Sequence, residues 1–168
     1  MNDLQDLAIE WHFIGPLQSN KTREVAAHFD WVQSVDREKI LRRLSEQRPE
    51  SLPALNICIQ VNIDREPQKA GAMPEHAGEL ARLVQSLPGL LLRGLMAIPQ
   101  AAGQEHDPGP SLARMAELFA ALRSTELDMD TLSMGMSADL EQAIMHGSTM
   151  IRVGTGLLGP RPGPEPKQ

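Results

Sequence analysis

The sequence predicts an α/β protein made of six successive β/α units. Apolar runs of strand length alternate with segments of helical periodicity, and no sequence repeat of fixed period accompanies them. A helix after each strand is typical of parallel strands covered by helices. Six units are enough for a doubly wound sheet and are two short of a complete (β/α)8-type barrel, so both architectures stay open at this point.

The first two units are short. Residues 10–15 predict a strand that ends at a Gly-Pro step, and residues 22–29 predict a short helix. Residues 31–35 predict the second strand. Asp36 is then in position to cap a helix that runs to about Arg48, and the apolar residues of that helix share one face.

The third strand has the clearest alternation. Apolar side chains occupy one face and polar or small ones the other: Leu55, Ile57, Ile59, Val61 and Ile63 against Asn56, Cys58, Gln60 and Asn62. A half-exposed antiparallel strand shows this pattern, and so does a barrel strand whose polar side faces a ligand-bearing interior. The helices that follow each strand favour the barrel strand, in which Cys58 is a small interior residue.

The middle units follow the same order. Pro74 is suited to the first position of a helix that extends to Leu87. Residues 91–98 predict the fourth strand, and residues 100–110, rich in Gly and Pro, predict a surface loop. An apolar stripe over residues 112–122 predicts the next helix.

The last two units lie close together. Residues 131–134 predict the fifth strand, and Ser137 is in position to cap a helix over residues 138–146. Gly147 is suited to stop that helix in a left-handed conformation. Residues 150–153 predict the sixth strand.

The composition excludes several classes of protein. The net charge is −6 and the pI about 5.3, which do not suit a nucleic-acid-binding surface. The apolar runs are much shorter than a membrane span, and we expect no secretory signal. A single cysteine excludes an internal disulfide framework and suits a cytoplasmic protein. Residues 1–159 predict one domain, and residues 160–168, rich in Pro, predict a disordered tail.

Two segments that combine glycine with hydroxyl side chains lie at successive strand ends. Residues 133–137 end the fifth strand, and residues 152–156 end the sixth about twenty residues later. Backbone N–H groups of such turns, with nearby hydroxyls and a helix N-terminus, form a cradle for an anion. In barrel enzymes the phosphate site commonly follows the last two strands. We therefore predict phosphate binding at these turns.

Three further side chains are candidates for ligand contact. An inward-pointing Arg152 needs an acceptor, which a ligand ring nitrogen or carboxylate supplies; otherwise Arg152 is a rim residue paired with an acid. His12 and Asn20 flank the loop after the first strand, and each is either a ligand contact or a residue of the packed strand and its loop. The other histidines show no spacing typical of metal ligands, so we predict no metal site.

The chain resembles the pyridoxal phosphate homeostasis protein family. Five blocks in the family's order carry the resemblance: WHFIGPLQSNK at 11–21, QVN at 60–62, RGLMAIP at 93–99, SMGMSADLEQAI at 133–144 and GSTMIRVGT at 147–155. The resemblance implies an alanine-racemase-like (β/α)8 barrel that holds pyridoxal 5′-phosphate at its mouth. It also implies a largely monomeric protein of vitamin B6 homeostasis with no established catalytic activity and therefore no catalytic residues.

The resemblance assigns roles to individual residues. Gly154 and Thr155 match the phosphate-binding turn, Ser133 matches a hydroxyl on the phosphate side, and Ser137 and the Met134 backbone are weaker matches there.

Arg152 matches the arginine that faces the pyridine nitrogen. A guanidinium at that position keeps the nitrogen unprotonated and weakens the electron sink on which most pyridoxal phosphate catalysis depends.

The sequence also departs from the family. Family members begin with a helix, a strand bearing the lysine that bonds to the cofactor, and a second strand with a Gly-Glu-Asn-like turn, and no match to these is present. None of the four lysines, Lys21, Lys39, Lys69 and Lys167, is in position to replace that lysine. We therefore expect the last six units of an eight-unit barrel, weak and reversible cofactor binding, and open strand edges that self-associate.

Two other functions remain in view. One is a racemase- or aldolase-like enzyme that acts on an amino-acid or phosphorylated substrate. The absence of any tyrosine argues against this function, because racemases use a tyrosine as the base opposite the lysine. The other is a noncatalytic fragment that binds a partner through an exposed strand edge.

Overall fold

The computed structural model of the chain describes residues 7–100, 107–125 and 127–159, and the predicted tail 160–168 lies outside them. It contains one six-stranded parallel sheet in the order β1-β2-β3-β4-β5-β6. The strands are β1 (His12–Phe13), β2 (Trp31–Val35), β3 (Leu55–Gln60), β4 (Leu90–Met96), β5 (Thr131–Met136) and β6 (Met150–Arg152). The helices are α1 (Thr22–His28), α2 (Glu38–Gln47), α3 (Pro74–Ser86), α4 (Gly109–Arg123), α5 (Leu140–Met145) and α6 (Thr155–Leu158).

The strand order and the curvature of the sheet identify a barrel. A doubly wound sheet reverses its strand order at a switch point, whereas here each strand pairs with the next one along the chain. Ser133 Oγ on β5 donates a hydrogen bond of 2.6 Å to Gln33 Oε1 on β2. In a flat sheet these strands would lie roughly 14 Å apart, at about 4.8 Å per strand. The sheet is therefore curled, and the predicted barrel of six β/α units is confirmed.

Apolar side chains fill two separate regions. The larger core lies between the convex face of the sheet and the helices, and the apolar residues Leu55, Ile57 and Ile59 of β3 belong to it. A smaller cluster of Trp31, Cys58, Met96 and Met150 belongs to the concave face. The predicted alternation of β3 is thus correct, and the polar side of this strand faces the barrel interior.

Several boundaries differ from the prediction. β1 covers two residues instead of residues 10–15, and β5 extends beyond residue 134 to Met136. Pro74 begins α3, as predicted. Gly147 follows the end of α5 with φ of +85°, which is the left-handed stop that the sequence predicts.

Both predicted helix caps are wrong. The residue that precedes α2 is Arg37, and Asp36 instead pairs with the Arg37 Nη1 at 2.6 Å. Asp139 precedes α5, and Ser137 Oγ instead accepts a hydrogen bond of 3.0 Å from Gly156 N, which lies 19 residues further along the chain. A polar side chain after a strand can thus accept a hydrogen bond from a distant backbone N–H group instead of capping the helix that follows.

The described helices are all too short or too polar to cross a membrane. Of the predicted surface loop over residues 100–110, residues 101–106 lie outside the described part of the chain.

Candidate functional site

Arg152 anchors a polar group on the concave face of the sheet. It lies at the end of β6, and its guanidinium donates from Nη1 to Ser133 Oγ at 2.6 Å and from Nη2 to the Ala97 carbonyl at 2.8 Å. Ser133 belongs to β5, and Ala97 follows β4. The carboxyl ends of neighbouring parallel strands meet at one edge of the sheet, which brings both partners within reach of Arg152. Among the described residues no carboxylate pairs with Arg152, so the predicted alternative of a rim ion pair finds no support there.

Burial disfavours the charged form of Arg152. Burial lowers the pKa of the Arg152 guanidinium, and the charge of Asp139 opposes that shift. A guanidinium nevertheless keeps its protons in proteins. The concave face therefore presents a cation whose hydrogen-bond partners are neutral oxygens, which is a suitable environment for an anionic ligand.

Ser133 continues the polar group across the barrel interior. Its hydroxyl donates to Gln33 Oε1, and Gln33 Nε2 lies 2.8 Å from His12 Nδ1. Gln33 Nε2 also lies 3.2 Å from the Met150 Sδ. We call Arg152, Ser133, Gln33 and His12, which lie on β6, β5, β2 and β1, the interior relay. It joins both edges of the described sheet.

Gln33 is the site residue that sequence reasoning missed. It is buried, with 2% of its surface exposed, between the buried residues Val32 and Ser34. Its partners lie 21 and 100 residues away, so no local pattern reveals them. One signal was available in the sequence. Gln33 lies two residues after Trp31 on a predicted barrel strand, so the two side chains face the same side of the sheet.

His12 is held by packing as well as by hydrogen bonding. Its ring is stacked on that of Trp31, with the centroids 5.0 Å apart and the planes at 14°. Burial lowers the pKa of His12, and the charges of Glu10 and Asp30 oppose that shift. His12 is thus a neutral, positioned imidazole on the concave face near neutral pH.

The turn after β6 lies beside Ser137. Gly154 and Thr155 are exposed, and a Cβ placed on Gly154 would have open space around it. A Cβ on Gly156 would lie 3.1 Å from Ser137 Oγ, so the two segments approach each other closely at this glycine. A shallow depression of about 300 Å³, lined by residues 137–142, adjoins Ser137. The structure thus brings together the two turns that the sequence assigns to phosphate.

The side chains of two predicted site residues lie outside the interior relay. Met134 has its side chain in the larger core, and its carbonyl accepts a hydrogen bond of 2.7 Å from Ser148 Oγ. Asn20 is exposed in the turn before α1, and the adjacent Ser19 carbonyl accepts from Arg43 Nε on α2 at 3.0 Å. No described contact joins Asn20 to the interior relay.

A second polar group, centred on Arg93, lies against the Trp31 ring; we call it the floor of the barrel interior. The Cζ of Arg93 lies 4.5 Å from the centroid of the Trp31 ring, and Arg93 forms an ion pair with Asp130 at 2.6 Å. Arg93 Nη1 also donates to Asn56 Oδ1 at 3.0 Å. Cys58 is fully buried above this floor, and burial raises the pKa of its thiol to about 12. Cys58 is therefore a packing residue, not a nucleophile.

The lysines that the structure describes lie away from the interior relay. Lys21 pairs with Glu24 at 3.4 Å and Lys69 with Glu66 at 2.5 Å, while Lys39 is exposed on α2. Lys167 lies outside the described residues. Across residues 7–100, 107–125 and 127–159, no cluster of three metal-ligating side chains is found.

Comparisons with known proteins agree with this geometry. The family model described as alanine racemase, N-terminal domain, matches residues 5–162. The pyridoxal phosphate homeostasis protein of Pseudomonas aeruginosa is 55% identical over 159 residues, which cover 95% of this chain and 68% of that protein. The protein of the same name from Escherichia coli K12 is 51% identical over 153 residues, covering 91% of this chain and 65% of that protein. The chain thus spans about two thirds of the length of these relatives.

Solved structures give the same result. PipY of Synechococcus elongatus PCC7942, solved with pyridoxal phosphate bound, is 38% identical with a TM-score of 0.79, covering 94% of this chain and 74% of PipY. Alanine racemase of Clostridium difficile 630 has a TM-score of 0.75 at 13% identity, covers 96% of this chain and 42% of that enzyme, and shows the fold alone. The fold is that of a parallel barrel of the alanine racemase N-terminal type. Within that class, the chain belongs to the pyridoxal phosphate homeostasis protein family.

Proposed function

We propose that the chain binds pyridoxal 5′-phosphate reversibly on the concave face of its barrel and serves vitamin B6 homeostasis in the cytoplasm. The observation that carries this proposal is the partly buried guanidinium of Arg152, whose described partners are neutral oxygens. Such a group favours an anionic or electron-rich ligand. The names of the relatives and the bound cofactor in PipY support the same ligand.

The residues around Arg152 suit this cofactor. Thr155, Gly154 and Ser137 are proposed to hold the phosphate, since they place hydroxyls and an open backbone turn beside one another. Ser133 is proposed to donate its hydroxyl to the same phosphate. Arg152 is proposed to face the ring nitrogen while keeping its own protons on Nη1 and Nη2. When bound, pyridoxal 5′-phosphate supplies an aldehyde and an electron-withdrawing ring.

We propose that the chain acts by binding and not by catalysis. Racemisation needs a base on each side of the substrate carbon, and the chain contains no tyrosine. No described contact joins Lys21, Lys39 or Lys69 to the interior relay. The racemase- or aldolase-like alternative therefore lacks both a tyrosine and a described lysine in contact with the interior relay, whereas binding needs neither.

We also propose that the chain self-associates through its β6 edge. Apolar side chains are exposed on and after that strand, namely those of Ile151, Val153, Leu157 and Leu158. An unpaired strand edge next to an apolar surface favours pairing with another chain.

A spectroscopic titration tests the proposed binding. We expect saturable changes in absorbance on addition of pyridoxal 5′-phosphate, and weaker binding of pyridoxal, which lacks the phosphate. Arg152→Met and Thr155→Ala should each weaken binding by about tenfold or more, since a charge-assisted hydrogen bond contributes about 1.5–3 kcal/mol. Arg42→Met is the matched control, because Arg42 is exposed on α2 and pairs with Glu38.

Borohydride reduction followed by mass spectrometry completes the test. We expect no cofactor fixed to the described lysines, so that the cofactor is lost on dialysis. Failure of the cofactor to bind, or equal affinity in Arg152→Met and the wild type, contradicts the proposal.

A further inference from the structure

The interior relay has a single direction of hydrogen-bond donation. A guanidinium can only donate, so Ser133 Oγ accepts from Arg152 Nη1 and must send its one hydrogen to Gln33 Oε1. The other end of the amide, Gln33 Nε2, then donates to His12 Nδ1. His12 Nδ1 is therefore unprotonated, and the ring proton of the neutral imidazole is on Nε2.

The opposite orientation of the amide leaves a buried group unsatisfied. With Gln33 turned, Ser133 Oγ accepts from both Arg152 and Gln33, and its hydroxyl hydrogen faces no acceptor among the described residues. Ser133 has no exposed surface, so water does not replace the missing partner. The turned state becomes favourable when a binding ligand displaces the side chains that cover Ser133 and a ligand oxygen accepts the Ser133 hydrogen.

We propose that His12 and Gln33 form a proton-linked positioning pair for the anion that binds at Ser133. Anion binding takes the Ser133 hydrogen from Gln33 Oε1, the amide of Gln33 turns, and Oε1 then accepts from His12 Nδ1, which has gained a proton from solvent. The two hydrogen bonds of Gln33 thus reverse their direction, Ser133 gains one hydrogen bond to the anion, and one proton is taken up. This inference rests on the proposed function, with pyridoxal 5′-phosphate as the anion.

The charges around His12 permit this change. Glu10 before β1 and Asp30 before β2 favour a protonated ring, while burial holds the pKa of His12 below its usual value. Arg93 faces the Trp31 ring on which His12 stacks, and Asp130 offsets its charge. The cation of Arg152 lies at the other end of the interior relay. His12 is thus neutral in the free protein and lies close to two carboxylates that stabilise its charged form.

The sign of the pH dependence follows from linkage. Binding raises the pKa of His12, so a proton is taken up only between the pKa of the free protein and that of the complex. Affinity for the anion therefore rises as the pH falls through that window, by up to tenfold per pH unit for one proton. Outside the window the affinity does not depend on His12.

Calorimetry and site variants test the linkage. Binding of pyridoxal 5′-phosphate is measured near pH 7 in two buffers that differ in ionisation enthalpy, which yields the number of protons taken up. The cofactor phosphate itself titrates near pH 6, so the comparison is between variants. We expect uptake in the wild type and in His76→Asn, an exposed histidine control on α3. We expect reduced uptake in Gln33→Leu and His12→Asn, and equal uptake in all four proteins overturns the proposal.

Nuclear magnetic resonance of the histidine rings tests the relay without any ligand. We expect His12, assigned with His12→Asn, to have its neutral proton on Nε2 and a pKa below 6.5. Gln33→Glu presents only acceptors to Ser133 and His12 and should raise the pKa of His12. A proton on Nδ1 in the free protein, or an unchanged pKa in Gln33→Glu, overturns the inference. Absence of any cofactor binding overturns the proposed function, and with it the linkage, while the ring spectra still decide the direction of the relay.

Discussion

Gly94 is the position at which one methyl group should do most damage to the fold. It lies in β4 opposite Thr131 of β5, with φ of +158°. A Cβ on Gly94 would lie 1.7 Å from the Thr131 carbonyl oxygen, whereas ordinary contact begins at 3.4 Å. The two strands would have to separate by well over an ångström to accept Gly94→Ala.

The cost can be worked from the pairing of these strands. The register joins Gly94, Leu95 and Met96 to three successive residues of β5. Loss of about three backbone hydrogen bonds, at about 1 kcal/mol each, together with backbone strain of about 1–2 kcal/mol gives about 4–5 kcal/mol. Domains of this size are stable by about 5–15 kcal/mol, so Gly94→Ala should lose a large part of the stability of the fold.

Urea unfolding followed by circular dichroism measures this loss. With a slope of about 1–3 kcal/mol per molar urea, the midpoint should fall by roughly 1.3 M or more. Gly147→Ala is the matched control, because Gly147 also has a positive φ of +85° but no neighbour within 4 Å of an added Cβ. That variant should lose only about 1 kcal/mol. Equal stability of the two variants would refute the register of β4 and β5.

Three further predictions follow from burial and charge. Cys58 should react with a thiol reagent at pH 8 only on unfolding, because burial raises the pKa of its thiol to about 12; rapid reaction of the native protein contradicts its placement. The hydrogen bond from Arg93 lowers the pKa of Asp130. The pair therefore stabilises the fold fully at pH values above the ordinary carboxyl pKa, and this stabilisation is lost as the pH falls through the lowered pKa of Asp130. In Arg93→Gln the unfolding free energy should therefore fall less on acidification, by a fraction of a kcal/mol since the carboxylate is well exposed. Sedimentation should show dimers or larger species that Ile151→Lys reduces, and a wild-type monomer at all concentrations contradicts association through β6.

The elements of the fold were largely predictable from local patterns. β2 covers the residues that the alternation indicates, and the apolar face of β3 lies in the larger core as expected. β1 was overestimated, since it lies at the edge of the described sheet and pairs with β2 through only His12 and Phe13. Sheet order and curvature could not come from periodicity, because they depend on contacts between distant segments.

The site was predictable only in part, for a related reason. Arg152 was a predictable site residue, because a charge on an interior strand needs a hydrogen-bond acceptor. The acceptor itself was not predictable, since the Ala97 carbonyl lies 55 residues away in the chain. Gln33 had no local signal of its role, since His12 and Ser133 meet it only when the sheet curls. Ser137 resembled a helix cap and instead supports the turn at Gly156.

A crystal structure of this chain with pyridoxal 5′-phosphate tests the central claim most directly. The account predicts the phosphate beside Ser137 and Thr155, and the ring nitrogen within hydrogen-bond distance of the Arg152 guanidinium. Cofactor bound away from Arg152, with the bond between Arg152 and Ser133 unchanged from its 2.6 Å, would contradict it.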